Sequence, residues 1–193
     1  MAIGSLDRPG RLNQLRAFTA VQLRSGYRSA DEVRADVMDA VRAEVGSPAE
    51  AARLTDEYLS DALAAWREEA GNWPEPTQHD RLIEALGTLE AQGVVVLQAV
   101  DDHWAASDRL AELAERGTPP RGLAFFTQTD VWHAIEHGML EVNLWHADSA
   151  NVLDSDDLLA DALRVFADHR LPARFDEGRI EVTVAWQRRP PAA

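Results

Sequence analysis

From residue 94 onward the chain alternates short β-rich apolar runs with helical segments, whereas everything before it follows a helical period, and this switch restricts the fold most. "VVVLQAV" at 94–100 reads as a strand, "HWAASDRLAELAERG" as a helix, "GLAFF" as a strand, "DVWHAIEHG" as a two-turn helix and "LEVNLWH" as a strand. "DDLLADALRVFADHR" follows as a helix with Leu159, Leu163 and Phe166 inward. "LPARF" and "RIEVTVAW" then flank Asp176-Glu177-Gly178, which predicts an antiparallel hairpin with glycine at a left-handed position. The pattern predicts an α+β fold: an N-terminal helical lobe over 1–93, then a mixed sheet of about five strands with flanking helices over 94–189. Residues 190–193 read as a frayed tail.

The first half carries legible helix caps. "RLNQLRAFTAVQL" puts Leu12, Leu15, Phe18 and Val21 on one stripe. "SADEVRADVMDAVRAEV" opens with a Ser29-x-x-Glu32 capping box and keeps Val33, Val37 and Val41 in register. In "SPAEAARLTDEYLSDALAAWREEAG", Ser47 is the cap and Pro48 the first helical residue, with Leu54, Tyr58 and Trp66 toward a core. "NWPEPTQ" breaks that helix before "HDRLIEALGTLEAQG" runs to a stop at Gly93.

A formal charge of -14 is spread over both halves, so nucleic acid and anionic membrane are poor partners. All 19 basic residues are Arg and they form no cluster. The absence of Cys removes disulfides, thiolate zinc sites and cysteine nucleophiles. The opening "MAIGSLDRPGRLNQLRAF" lacks an apolar leader and no later run is long enough to span a bilayer, so the cytoplasm is the expected location.

Two groups of residues invite a chemical reading. In "DVWHAIEHGM", His133, Glu136 and His137 spell the inverted zinc-peptidase motif, which needs both histidines on one helical face and a third ligand from elsewhere. At about 100° per residue from Val131, Ile135 falls near 40° and Ala134 near 300°, while the histidines fall near 200° and 240°. His133 and His137 therefore share a face, but one turned away from the apolar stripe, which predicts an exposed pair. Downstream carboxylates such as Asp157, Asp161 and Asp168 recur at polar-face spacing, and Asp156 and Asp157 suit a helix N-terminus.

The second group lies where strands end. Asp101, Asp102 and His103 follow the first strand, Thr127 to Asp130 the second, and His146 and Asp148 the third. If both crossovers make these strands parallel, all three groups meet at one carboxyl edge of the sheet, where α/β folds bind ligands. Asp101, Asp102, His103, His146 and Asp148 would then converge on a divalent cation or a small polar ligand. Against this, strand ends run into polar loops, and Asp130 has a job as a helix cap.

The runs "WPEPTQHDRLIEALGTLEAQGVVVLQ", "RGLAFFTQTD", "LEVNLW" and "RIEVTVAWQRR", with "VQLRSGYRSADEV" near the start, resemble the landmarks of an uncharacterised bacterial domain-of-unknown-function family over nearly the whole chain. Those landmarks are structural, so the resemblance supplies a domain extent and no active site, and the family has no assigned activity. Gln78-His79 before Asp80 departs from the family's pattern.

The residues together predict a non-catalytic domain that binds a protein partner or its own copy, with no cofactor. The alternative is a divalent-metal-binding protein or metal-dependent hydrolase using the His-x-x-Glu-His helix or the strand-end cluster.

Overall fold

The computed structural model describes residues 7–191, and the chain divides into two compact units. One comprises the chain through Trp73 with the segment from Arg188; the other is Pro74–Gln187. Helix 78–91 thus groups with the sheet that follows it. No helix among the described residues is long and apolar enough to cross a membrane.

The first unit holds α1 (Arg8–Ser25), α2 (Ala30–Val45) and α3 (Pro48–Ala70). Each begins where a cap dictates. Asp7 accepts from the Gly10 amide, Ser29 and Glu32 form the reciprocal box, and Ser47 accepts from the Glu50 amide ahead of Pro48. Val33, Val37, Val41, Ala51, Leu54 and Tyr58 make the core, with Leu12, Leu15 and Phe18 packed against it. The most deeply buried side chains of α1 are nevertheless polar: Thr19, Gln22 and Ser25. Two of them bond back into the helix, Thr19 Oγ1 to the Leu15 carbonyl at 2.7 Å and Ser25 Oγ to the Gln22 carbonyl at 2.9 Å, which is how a hydroxyl tolerates burial.

The second unit runs α4 (Gln78–Ala91), β1 (Val94–Val100), α5 (His103–Glu115), β2 (Gly122–Thr127), α6 (Gln128–His137), β3 (Met139–His146), α7 (Asp157–Asp168), β4 (Ala173–Asp176) and β5 (Arg179–Thr183). The five-stranded mixed sheet has the order β1-β2-β3-β5-β4, and the fold is α+β as the pattern predicts. Between β1 and β3, β2 is buried along Gly122–Phe126, which explains its unbroken apolar run, whereas β3 alternates. On one face Leu123 and Phe125 pack with Ala106 and Leu110 of α5. Leu140, Val142, Leu144, Ile180 and Val182 point to the other face and are fully buried, and α4 and α7 pack together on the sheet through β1 and β4.

Strand direction corrects one expectation. β1 and β2 are parallel, but β3 is antiparallel to β2. The reason is length: α6 follows Thr127 directly and only Gly138 separates it from β3, so about 15 Å of helix is all that connects a strand about 20 Å long to one about 26 Å long. Such a link cannot return the chain to the far end of the sheet. The hairpin is present as expected: Asp176 pairs with Arg179, and Glu177 and Gly178 have φ of 44° and 92°, both left-handed as a two-residue turn of this kind needs.

The residues after β5 stay tied to α4. Ala185 N donates to Gln78 Oε1 at 2.8 Å, Gln78 N to Gln187 Oε1 at 3.3 Å, and His79 meets Trp186 edge-on with ring centroids 5.0 Å apart. Gln78 and His79 therefore fasten the end of the sheet unit to its first helix.

Candidate functional site

The open part of the α5 face carries a polar depression of about 560 Å³. Its wall at the carboxyl end of β1 and β2 is built by helix starts. Asp102 caps α5, its Oδ1 accepting from Trp104 N at 2.9 Å and Ala105 N at 3.3 Å. Thr127 and Asp130 cap α6 reciprocally, with Thr127 N to Asp130 Oδ2 at 2.7 Å and Asp130 N to Thr127 Oγ1 at 3.3 Å. Asp130 thus has the capping role its position suggests.

The floor comes from alternation along β3. Because Leu140, Val142 and Leu144 face the buried side, Glu141, Asn143 and Trp145 face the depression. Arg179 on β5 lies beside Asn143 in register and donates to Glu141 Oε2 at 2.6 Å. That hydrogen bond, then the charges of Glu141, Asp130 and Asp176, hold the Arg179 guanidinium above its ordinary pKa. Among the described residues Arg179 is the one arginine on the lining, set among carboxylates that also include Asp101, Asp102 and Glu177. The adjoining rim is aromatic: the His103 and Trp104 rings lie 4.6 Å apart, and Trp104 is 64% exposed.

The structure brings Asp101, Asp102 and His103 to this depression and takes His146 and Asp148 away from it. His146 pairs with Gly122, at the start of β2, so it and Asp148 lie at the opposite end of the sheet from Asp101. The single five-residue cluster that parallel strands would have made is not formed. His146 Nε2 instead meets Asp156 Oδ2 at 2.8 Å, and Asp148 Oδ1 accepts from Ala150 N at 3.1 Å in a local turn.

His133 and His137 do share a face of α6. Their rings meet edge-on at 4.7 Å, His137 exposed and His133 half-buried, and Glu136 Oε2 stands 3.8 Å from His137 Nε2. Two imidazoles at this spacing can chelate a metal loosely; a firm site needs a third ligand. Among the described residues, no three His, Asp or Glu side chains gather in a group that could hold a metal ion.

Glu141, Asn143, Trp145 and Arg179 belong to the depression and were not expected from sequence. Their signal was present in the alternation of "LEVNLWH" and "RIEV", which places a charge and an amide on the strand face opposite the core.

No curated protein and no solved structure matches the chain. A family model matches it over residues 9–190, almost its whole length, in keeping with landmarks that run from the first helix to the strand end. The chain belongs to the family described as Domain of unknown function (DUF6891).

Proposed function

We propose that this chain is a non-catalytic binding domain whose sheet depression receives an Arg- or Lys-bearing segment of a protein partner. The observation that carries the reading is Trp104, a large aromatic 64% exposed whose ring lies 4.6 Å from that of His103, a residue lining the acidic hollow. Exposed aromatics beside complementary charge are the anchors of protein interfaces. Leu153, 65% exposed, stands on a neighbouring shallow hollow that shares Asn151, Glu177 and Gly178 with the first, and extends the surface. Asp102 and Asp130 serve as helix caps and Glu141 pairs with Arg179, which suits recognition better than proton transfer.

Titration calorimetry of the whole chain with an Arg-rich peptide and with the same peptide carrying Glu for Arg tests this. The Arg peptide should bind, with affinity falling as salt rises and at least about fivefold in Trp104→Ala. Binding of neither peptide, or an affinity unchanged in Trp104→Ala, overturns the reading.

Self-association is the related form of this proposal, and sedimentation over a concentration series separates it from binding a different partner. The alternative is divalent-metal binding, through the His133 and His137 pair or through Asp101, Asp102 and His103. Elemental analysis of protein purified without an affinity tag decides it, since stoichiometric metal would favour that alternative.

A further inference from the structure

The helical unit contains a cavity of about 590 Å³, within the roughly 300–1,000 Å³ range of small-molecule sites. Leu23, Val33, Leu59, Leu63 and Trp66 make it largely apolar. Four arginines, Arg28, Arg34, Arg188 and Arg189, line it together with Asp31, an unusual gathering of cations in a chain of net charge -14.

The four are not equivalent. Arg28 pairs with Asp36 at 2.7 Å and Arg34 pairs with Asp56, so both charges are already met. Arg189 donates to the Ala70 carbonyl at 3.1 Å. Arg188 has no carboxylate partner among the described residues; its guanidinium lies over the Tyr27 ring, 5.2 Å from the centroid. Burial pushes the Tyr27 phenol up to about 12, so at neutral pH it offers a π face and no negative charge.

Arg188 is also held in place. Its carbonyl accepts from Trp66 Nε1 at 2.9 Å, which ties its backbone to the cavity wall. Its side chain runs against Gly26, where φ is +74° and a Cβ would overlap the guanidinium. The glycine that ends α1 is therefore what gives Arg188 its berth.

We propose that this cavity binds a small amphipathic monoanion, an apolar chain or ring bearing one carboxylate, with its body against Leu59, Leu63 and Trp66 and its carboxylate on Arg188. The volume sets the size of the ligand. A single uncompensated guanidinium matches a single planar carboxylate, which it can bond bidentately. The site lies in a different unit from the sheet depression and does not depend on that reading.

Calorimetry of the full chain with decanoate, decan-1-ol and decylammonium, each below its aggregation limit, tests the proposal. Decanoate should bind one to one and at least about tenfold more tightly than either comparator. Arg188→Gln should lose about tenfold for decanoate and leave decan-1-ol unchanged. Should that variant fail to fold, Arg188→Lys keeps the charge without the planar fork and should lose part of the decanoate affinity only. Absence of decanoate binding, equal affinity for all three, preference for the cation, or decanoate affinity undiminished in the folded Arg188 variants overturns it.

Discussion

His146 and Asp156 meet through a 2.8 Å contact between Nε2 and Oδ2, and the same carboxylate oxygen accepts from Leu153 N at 2.7 Å. Asp156 stands at the N-cap position of α7, yet makes no side-chain bond to that helix's amides. It closes the loop between β3 and α7 instead. The hydrogen bond from Leu153 N, followed by that with His146, holds its carboxyl below the ordinary range. A folded-state pKa depressed in this way contributes stability that is present above the unfolded value of about 3.9 and is lost as pH falls through the folded value. Asp156→Asn should therefore lower the melting temperature at neutral pH, and the gap from the parent should close as pH drops below about 4. Melting curves between pH 2 and 7 check this, and a gap constant down to pH 2 would contradict it.

Gly122 should tolerate no side chain. A Cβ there would stand 2.6 Å from Leu158 Cδ2 and 2.8 Å from the Trp145 carbonyl oxygen, and the second of these is backbone. Gly122→Ala should cost on the order of 1–3 kcal/mol, the usual penalty of overpacking. Denaturant unfolding measures it, and a loss under about 0.5 kcal/mol would mean that β3 yields more easily than a paired strand should.

The capping box of α6 separates structural from ligand roles for Asp130. Thr127→Ala removes the hydroxyl that accepts from Asp130 N and should cost about 0.5–2 kcal/mol. Asp130→Asn keeps an acceptor for the cap while removing the charge, so a carboxylate that also receives the Arg-rich peptide should lose more affinity in Asp130→Asn than in Thr127→Ala. Parallel unfolding and calorimetry decide; unaltered stability would remove the cap from the account of how α6 begins.

Replacing His137 by Ala should shift stability by less than about 0.5 kcal/mol, because the side chain is exposed and its nearest acid is 3.8 Å away. His133 is half-buried, so its replacement should cost slightly more. Thermal melting of both variants, with and without zinc, checks the assignment. Stoichiometric zinc that disappears on substitution would instead make this pair the metal site.

A chain of net charge -14 should not shift duplex or single-stranded DNA at physiological salt, because its 33 acidic residues outnumber its 19 arginines and repel the phosphates. A mobility-shift titration settles this. Tight binding that weakens steeply with salt would show that the local arginines outweigh the overall field.

What the amino-acid order determined by itself was local. Ser29 with Glu32, Ser47 with Pro48, and the Glu177-Gly178 turn each act over three or four residues, so their helix starts and hairpin were legible without neighbours. The direction of β3 was not, because "LEVNLWH" alternates identically in a parallel or an antiparallel strand; only the short span of α6 and the hydrogen bonds to β2 and β5 chose. That choice moved His146 and Asp148 away from Asp101, Asp102 and His103, and set Arg179 beside Glu141. Contacts between residues distant in sequence decided Arg188 as well. Its carbonyl bonds to Trp66, and its guanidinium lies on Tyr27 against Gly26, partners that no local periodicity could have brought together.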